Sequence, residues 1–189
     1  ATFLLFYYRN LVYDKIASMA KKSLCLGFDL DGVIVDKPPL IPKVWLEYLF
    51  KGGGENNLYY RFPQSKMEQI IRKISHFYLF RPPLKKNIDF VKKLKKQGHR
   101  LYLISGRYSF LKKETANWLK ERGLNGMFRE IFLNLKNEQP YVFKERIIRQ
   151  LNLDYYFEDD KKIAAYLQER QSGVSIIEVK RKKINFPDA

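Results

Sequence analysis

The sequence predicts an α/β fold built on parallel strands, and three observations carry that prediction. First, Leu24-Cys25-Leu26-Gly27-Phe28 is an apolar run. A strand covered on both faces reads this way, because neither side of its pleat meets water. Second, strand-like runs recur at Arg100–Ile104, Glu130–Asn134, Asp154–Phe157 and Gly173–Val179, with helix-period segments between them. That alternation is the pattern of a parallel sheet with crossover helices. Third, polar residues stand where the strands end: Asp29-Leu30-Asp31-Gly32, Ser105-Gly106-Arg107 and Glu158-Asp159-Asp160. The carboxyl edge of such a sheet is where ligands bind.

The elements follow in order. Leu5, Tyr8, Val12, Ile16 and Met19 keep helical spacing, so residues 1–22 read as an amphipathic helix. It packs on the domain or meets a membrane surface or partner. No apolar run reaches the roughly 20 residues of a spanning helix. No small-residue cleavage site follows, so neither a transmembrane segment nor a signal peptide is expected. After β-strand one, Pro38-Pro39 enforce an extended exit. Residues 43–50 read as a short helix, 51–57 as a glycine-rich loop tip, and 64–79 as a second helix stopped by Pro82-Pro83. Ile88, Val91 and Leu94 define the next helix, whose lysines form a solvated face and which Gly98 closes. Leu111, Thr115, Trp118 and Leu119 mark another, and Phe143, Ile147, Ile148 and Leu151 one opened by Pro140. Ile163, Ala164 and Leu167 mark the last helix, and Lys180-Arg181-Lys182-Lys183 starts a basic tail.

The chain has 189 residues, enough for one domain with a small insert. It is 46% hydrophobic and 15% aromatic, which allows a substantial core. Lys and Arg number 36 against 20 acids, a net charge of +16. Such a field favours anionic partners, whether phosphorylated metabolites, nucleic acid or an acidic membrane surface. A single cysteine, Cys25, excludes an internal disulfide and fits a reducing, cytoplasmic location. Two histidines far apart do not suggest a zinc site.

Taken together, the polar strand ends resemble the four motifs of the haloacid dehalogenase (HAD) superfamily, in that family's order. Asp29-Leu30-Asp31-Gly32 resembles motif one, Ser105 motif two, Lys144 motif three and Glu158-Asp159-Asp160 motif four. Arg146 and Arg149 are fallbacks for the lysine. The insert is broadly similar to that of the 5′(3′)-deoxyribonucleotidase branch. The resemblance implies a HAD-like Rossmannoid three-layer sandwich, with a central parallel sheet and a small helical cap insert. It divides the chain into an N-terminal helix (1–22), a core (23–35 and 85–179), a cap (36–84) and a basic tail (180–189).

The resemblance also implies a chemistry. Asp29 would be the nucleophile and Asp31 the acid–base. Ser105, Gly106 and Lys144 would hold phosphate. Mg²⁺ would sit on Asp29, Asp31 through its backbone carbonyl, and Asp159. Arg107, Glu158 and Asp160 are further candidates, with the choice between Asp159 and Asp160 left open. The expected function is Mg²⁺-dependent hydrolysis of a small phosphorylated substrate, a nucleotide or sugar phosphate. Trp45, Tyr48, Tyr59, Tyr60 and Arg61 could choose it, though such residues more often serve as core or surface. The alternative is a HAD-fold protein that binds nucleic acid or another anionic partner through its charge.

Overall fold

The computed structural model describes residues 23–38 and 58–184. The helices expected over 1–22 and 43–50, the loop tip 51–57, Trp45 and Tyr48 lie outside them. The five strands are β1 (Cys25–Phe28), β2 (Arg100–Tyr108), β3 (Glu130–Asn134), β4 (Tyr155–Glu158) and β5 (Ser175–Glu178). They form one sheet in the order β3-β2-β1-β4-β5, and every pairing is parallel. The described helices are α1 (Lys66–Ser75), α2 (Lys85–Lys96), α3 (Lys112–Glu121), α4 (Pro140–Leu151) and α5 (Lys161–Arg170).

Alternation along the strands divides the core in two. Leu24, Leu26 and Phe28 join Ile88, Val91 and Leu94 of α2 and Trp118 and Leu119 of α3. Cys25, on the other face, joins Phe143, Ile147 and Ile148 of α4 and Ile163 and Leu167 of α5. Successive strand side chains point to opposite faces, so one buried strand needs helices on both sides. The result is the expected three-layer arrangement. Gly27 belongs to the tighter face: a Cβ there would come within 2.4 Å of a Leu153 side-chain carbon.

Connectivity explains where a ligand can sit. From β1 the chain builds outward through β2 and β3, then crosses back to place β4 on β1's other side. The order reverses between β1 and β4, and a crevice opens at the carboxyl ends of the two strands. Asp29 follows β1 directly and Asp159 follows β4 directly.

Several details differ from the sequence expectation. β2 does not stop at Ile104 but runs to Tyr108. Its register on β3 slips between Ser105↔Leu133 and Tyr108↔Asn134, so Gly106 and Arg107 have no opposite number. A bulge of this kind bends the strand and re-aims side chains. The helix expected over 64–79 is α1, followed by a 3₁₀ turn at Tyr78–Phe80. The basic tail begins as a docked 3₁₀ turn, Lys180–Lys182. Lys182 Nζ lies 2.8 Å from an Asp36 carboxylate oxygen, and Ile184 N–H donates to Asn87 Oδ1 at 2.9 Å. At the neck of the insert, Asp36 N–H donates to the Pro82 carbonyl and Leu84 N–H to the Ile34 carbonyl. Among the described residues, no helix is long and apolar enough to cross a membrane.

Candidate active site

The loop after β1 turns both acids of Asp29-Leu30-Asp31 the same way. Asp29 N–H still donates to the Phe157 carbonyl at 2.9 Å, extending the sheet by one rung. The chain then curls: Ile34 and Val35 N–H both donate to the Leu30 carbonyl, and Gly32 N–H to that of Val35. Leu30 turns into the core while Asp29 and Asp31 line a cavity of about 390 Å³. Gly32 makes the curl feasible, since its φ is +75°.

One end of the cavity is rich in carboxylates. Oxygens of Asp29, Glu158 and Asp159 all lie within 4.8 Å of one another. Lys144, on α4, reaches them from below the surface, with Nζ 3.1 Å from Asp29 Oδ2 and 2.6 Å from Glu158 Oε2. Burial pushes the Asp29 carboxyl up to about 8, against the pull of Lys144, with Glu158 and Asp31 adding to the rise. Burial and the Asp29 charge push Asp159 up to about 7. Glu158 is also raised, first by burial. Burial alone would lower Lys144, but Asp29 and Glu158 outweigh it and keep the ammonium protonated. Three acids facing one ammonium hold their protons because they cannot all ionise there, and a hard divalent cation would favour their ionised forms.

The other end is rich in guanidinium. Arg107 grips Asp31 with two bonds, Nε to Oδ2 at 2.7 Å and Nη2 to Oδ1 at 2.8 Å. Arg81 Nη2 also donates to Asp31 Oδ1. Burial would raise Asp31, but Arg107 and then Arg81 hold it well below the usual carboxylate range. His76 sits in the same wall, its Nδ1 2.7 Å from the Arg72 carbonyl. Burial, followed by Arg107 and Arg81, pulls its pKa well below the ordinary value, so the ring is neutral at pH 7.

The remaining sequence candidates fall as follows. Gly106 lines the cavity; a Cβ there would lie 2.8 Å from Pro140 Cβ, so its lack of a side chain lets β2 meet the start of α4. Ser105 is fully buried, outside the residues that line the cavity, and its Oγ accepts from Arg107 N–H at 3.4 Å. Glu158 has both oxygens engaged, one by Lys144 and the other by Asp160 N–H at 3.1 Å. Asp160 is the N-cap of α5, accepting from Lys162 and Ile163 N–H. Its other oxygen accepts from the Tyr60 hydroxyl at 2.6 Å. The acid cluster therefore contains Asp159 rather than Asp160. Arg146 pairs with Glu138 and Arg149 with Glu145, both away from Asp29. Arg61 pairs with Glu68 at 2.5 Å, and Tyr59 is half exposed.

Sequence reading missed Arg81 and His76 and left Tyr60 as a specificity candidate only. Tyr60 is pinned to the core: its carbonyl accepts from the Tyr108 hydroxyl at 2.7 Å, and its N–H donates to Gln139 at 2.9 Å. No local pattern marks Arg81 or His76; both reach the site because the insert returns to the core at Pro82.

Comparison with solved structures places this architecture. A haloacid dehalogenase-like family hydrolase from Streptococcus pneumoniae superposes with a TM-score of 0.51, over 82% of this chain and 84% of that one, at 15% identity. A HAD family enzyme from Bacteroides thetaiotaomicron superposes with a TM-score of 0.54, over 86% of this chain and 96% of that one, at 14% identity.

The chain has the haloacid dehalogenase-like fold.

The HAD-like neighbour from B. thetaiotaomicron is an aspartate-to-alanine mutant in complex with magnesium and inorganic phosphate. Among curated proteins, one from Bacillus cereus described as "Putative nucleotidase" is 29% identical over 83 residues, 44% of this chain. The match spans 42% of that relative, less than half its length. No family model matches the chain.

Proposed function

We propose that the protein is a Mg²⁺-dependent phosphomonoester hydrolase that works through an aspartyl-phosphate on Asp29, with a nucleotide or sugar phosphate as substrate. The carrying observation is Asp29 at the end of β1, paired with Lys144 and clustered with Glu158 and Asp159. One fold neighbour described as a hydrolase, another described as a HAD family enzyme in complex with magnesium and inorganic phosphate, and the relative described as "Putative nucleotidase" support the same reading. The single buried cysteine fits a cytoplasmic location.

The residues present fit a magnesium ion. The cluster offers only oxygen donors, two of its three acids are buried, and a cation there would favour ionisation of carboxyls that otherwise hold their protons. Asp29, Asp159 and the Asp31 backbone carbonyl would hold the ion; Glu158, with both oxygens taken, would act one layer out by orienting Lys144. When bound, the ion neutralises phosphate charge so that an anionic nucleophile can approach.

The protein's own groups do the rest. A carboxylate oxygen of Asp29 bonds to phosphorus as the ester P–O bond breaks. Asp31 gives its proton to the leaving oxygen. A water then attacks the aspartyl-phosphate and yields its proton to Asp31, and the Asp29 carboxylate returns as phosphate leaves. The guanidiniums on Asp31 favour its ionised form, so the proton it gives to the leaving oxygen must first be taken up from solvent or from a monoprotonated phosphate ester, and the water's proton restores it afterwards. Lys144 and the Gly106 backbone hold the transferring oxygens, and buried Ser105 supports that strand end. Residues 36–84 act as a small cap that delivers Tyr60, His76 and Arg81 to the cavity.

The test is p-nitrophenyl phosphate hydrolysis with and without Mg²⁺, wild type beside Asp29→Asn. Magnesium-dependent turnover that disappears in the variant is expected. Turnover equal in both proteins would sink the reading.

A further inference from the structure

Two guanidiniums share one carboxylate in the cavity wall. Arg81 is 4% exposed and Arg107 8%, and both contact Asp31. Arg107 is well occupied, since its Nη1 also donates to Thr115 Oγ1 at 3.0 Å. Arg81 is not: its buried Nε has no hydrogen-bond partner among the described residues. Among the described residues, the other acids near this wall have partners of their own, save Asp159, which belongs to the acid cluster. Asp36 pairs with Lys182. Glu68 pairs with Arg61 and Arg72. His76 is neutral at pH 7. Among the described residues, one buried positive charge and one buried donor are thus left over, and both are costly without a counter-anion. The two ends of the cavity differ in kind, with the carboxyls of Asp29 and Asp159 at one and the guanidiniums of Arg81 and Arg107 at the other.

We infer that Arg81, with Arg107 beside it, is a second anion subsite, and that the substrate is a phosphomonoester bearing a further anionic group on its leaving alcohol. The placement rests on the proposed role of Asp31. That residue meets the leaving oxygen, so cations bound to it lie on the leaving-group side. The group recognised is a planar or tetrahedral set of anionic oxygens, a carboxylate or a second phosphate, close to the ester oxygen. Arginine suits it, because its fork of N–H donors matches such oxygens. A neutral alcohol would leave Arg81 Nε unpaired in the occupied site, so the subsite discriminates by the penalty on the wrong leaving group as much as by the gain on the right one.

Three non-hydrolysable probes test this by titration calorimetry with Mg²⁺ present: methylphosphonate, phosphonoacetate and methylenebisphosphonate. The wild type is expected to bind at least one doubly anionic probe about tenfold or more tightly than methylphosphonate, as a charge-assisted contact should give. The preferred probe tells carboxylate from phosphate. In Arg81→Met that advantage should shrink to about twofold. Equal affinities in the wild type overturn the inference. So does an advantage that survives in Arg81→Met, the result expected if the probe merely chelates the metal. Should Arg81→Met not fold, Arg81→Lys keeps the charge but loses the Nε donor, and an undiminished advantage there overturns the inference as well. Turnover is read separately on p-nitrophenyl phosphate and on carboxymethyl phosphate, whose alcohol carries the further anionic group. Discrimination with turnover of neither ester would remove the hydrolase reading and leave only an anion subsite standing; turnover without discrimination would do the reverse.

Discussion

A Cβ added to Gly32 would lie 1.9 Å from Oδ2 of Asp159. The loop after β1 and the loop after β4 therefore touch where no side chain can fit, and Gly32 also holds φ at +75°. Gly32→Ala should cost about 2 kcal/mol or more, from the left-handed backbone and the displaced carboxylate together. It should also weaken Mg²⁺ binding, because Asp159 is the group pushed aside. Denaturant unfolding and metal titration of the same variant check both. Unchanged metal affinity would mean that Asp159 is not a ligand.

Lys144 is the ammonium that joins Asp29 to Glu158. Lys144→Met leaves those acids buried against each other, a loss of about 3–5 kcal/mol at pH 8. At pH 5 the raised carboxyls hold their protons, so the loss should be smaller. Urea unfolding at both pH values reads the difference, and an equal loss at the two would show that the charge balance is not what Lys144 maintains.

Proton linkage gives the metal-free protein a direction. Asp29 and Asp159 release protons near pH 4 when unfolded but only near about 8 and about 7 when folded. Between those limits the folded state binds more protons, so stability falls as pH rises from about 4 to 8. A cation that needs ionised ligands reverses the trend, and its affinity rises over the same range. Thermal unfolding with EDTA should show a melting temperature that drops from pH 5 to pH 8. Adding Mg²⁺ should restore more at pH 8 than at pH 5.

Trp118 is fully buried, and its Nε1–H donates to the Arg81 carbonyl at 2.7 Å. α3 thereby holds the return of the insert in place. Trp118→Phe removes the donor and leaves a small void, a loss of about 1–3 kcal/mol. If Arg81 is positioned through this bond, kcat/KM on p-nitrophenyl phosphate should fall as well. A stability loss with no kinetic change would confine Trp118 to packing.

Much of the candidate site could be read from the sequence because its parts are contiguous. Asp29 and Asp31 share one strand exit, and Asp159 follows an aromatic strand, so an apolar run next to an acid pair announced each of them. Lys144 could be chosen over Arg146 and Arg149 by its place near the start of α4, and the structure pairs it with Asp29. Asp159 and Asp160 could not be told apart in sequence, since they are adjacent and chemically identical. Helix phase separates them: Asp160 turns to cap α5, which leaves Asp159 facing the acids of β1 and β4.

What the sequence determined by itself was the parallel α/β sheet and the acids at its edge, because hydrophobic burial and strand ends are written in short windows. What only the tertiary structure decided was the cationic half of the cavity. Arg81 meets Asp31 across 50 residues, and Arg107 reaches it through a bulge in β2. Neither contact has a local pattern. Each depends on where the chain returns after leaving the sheet, and on which charges the closed core leaves without a partner.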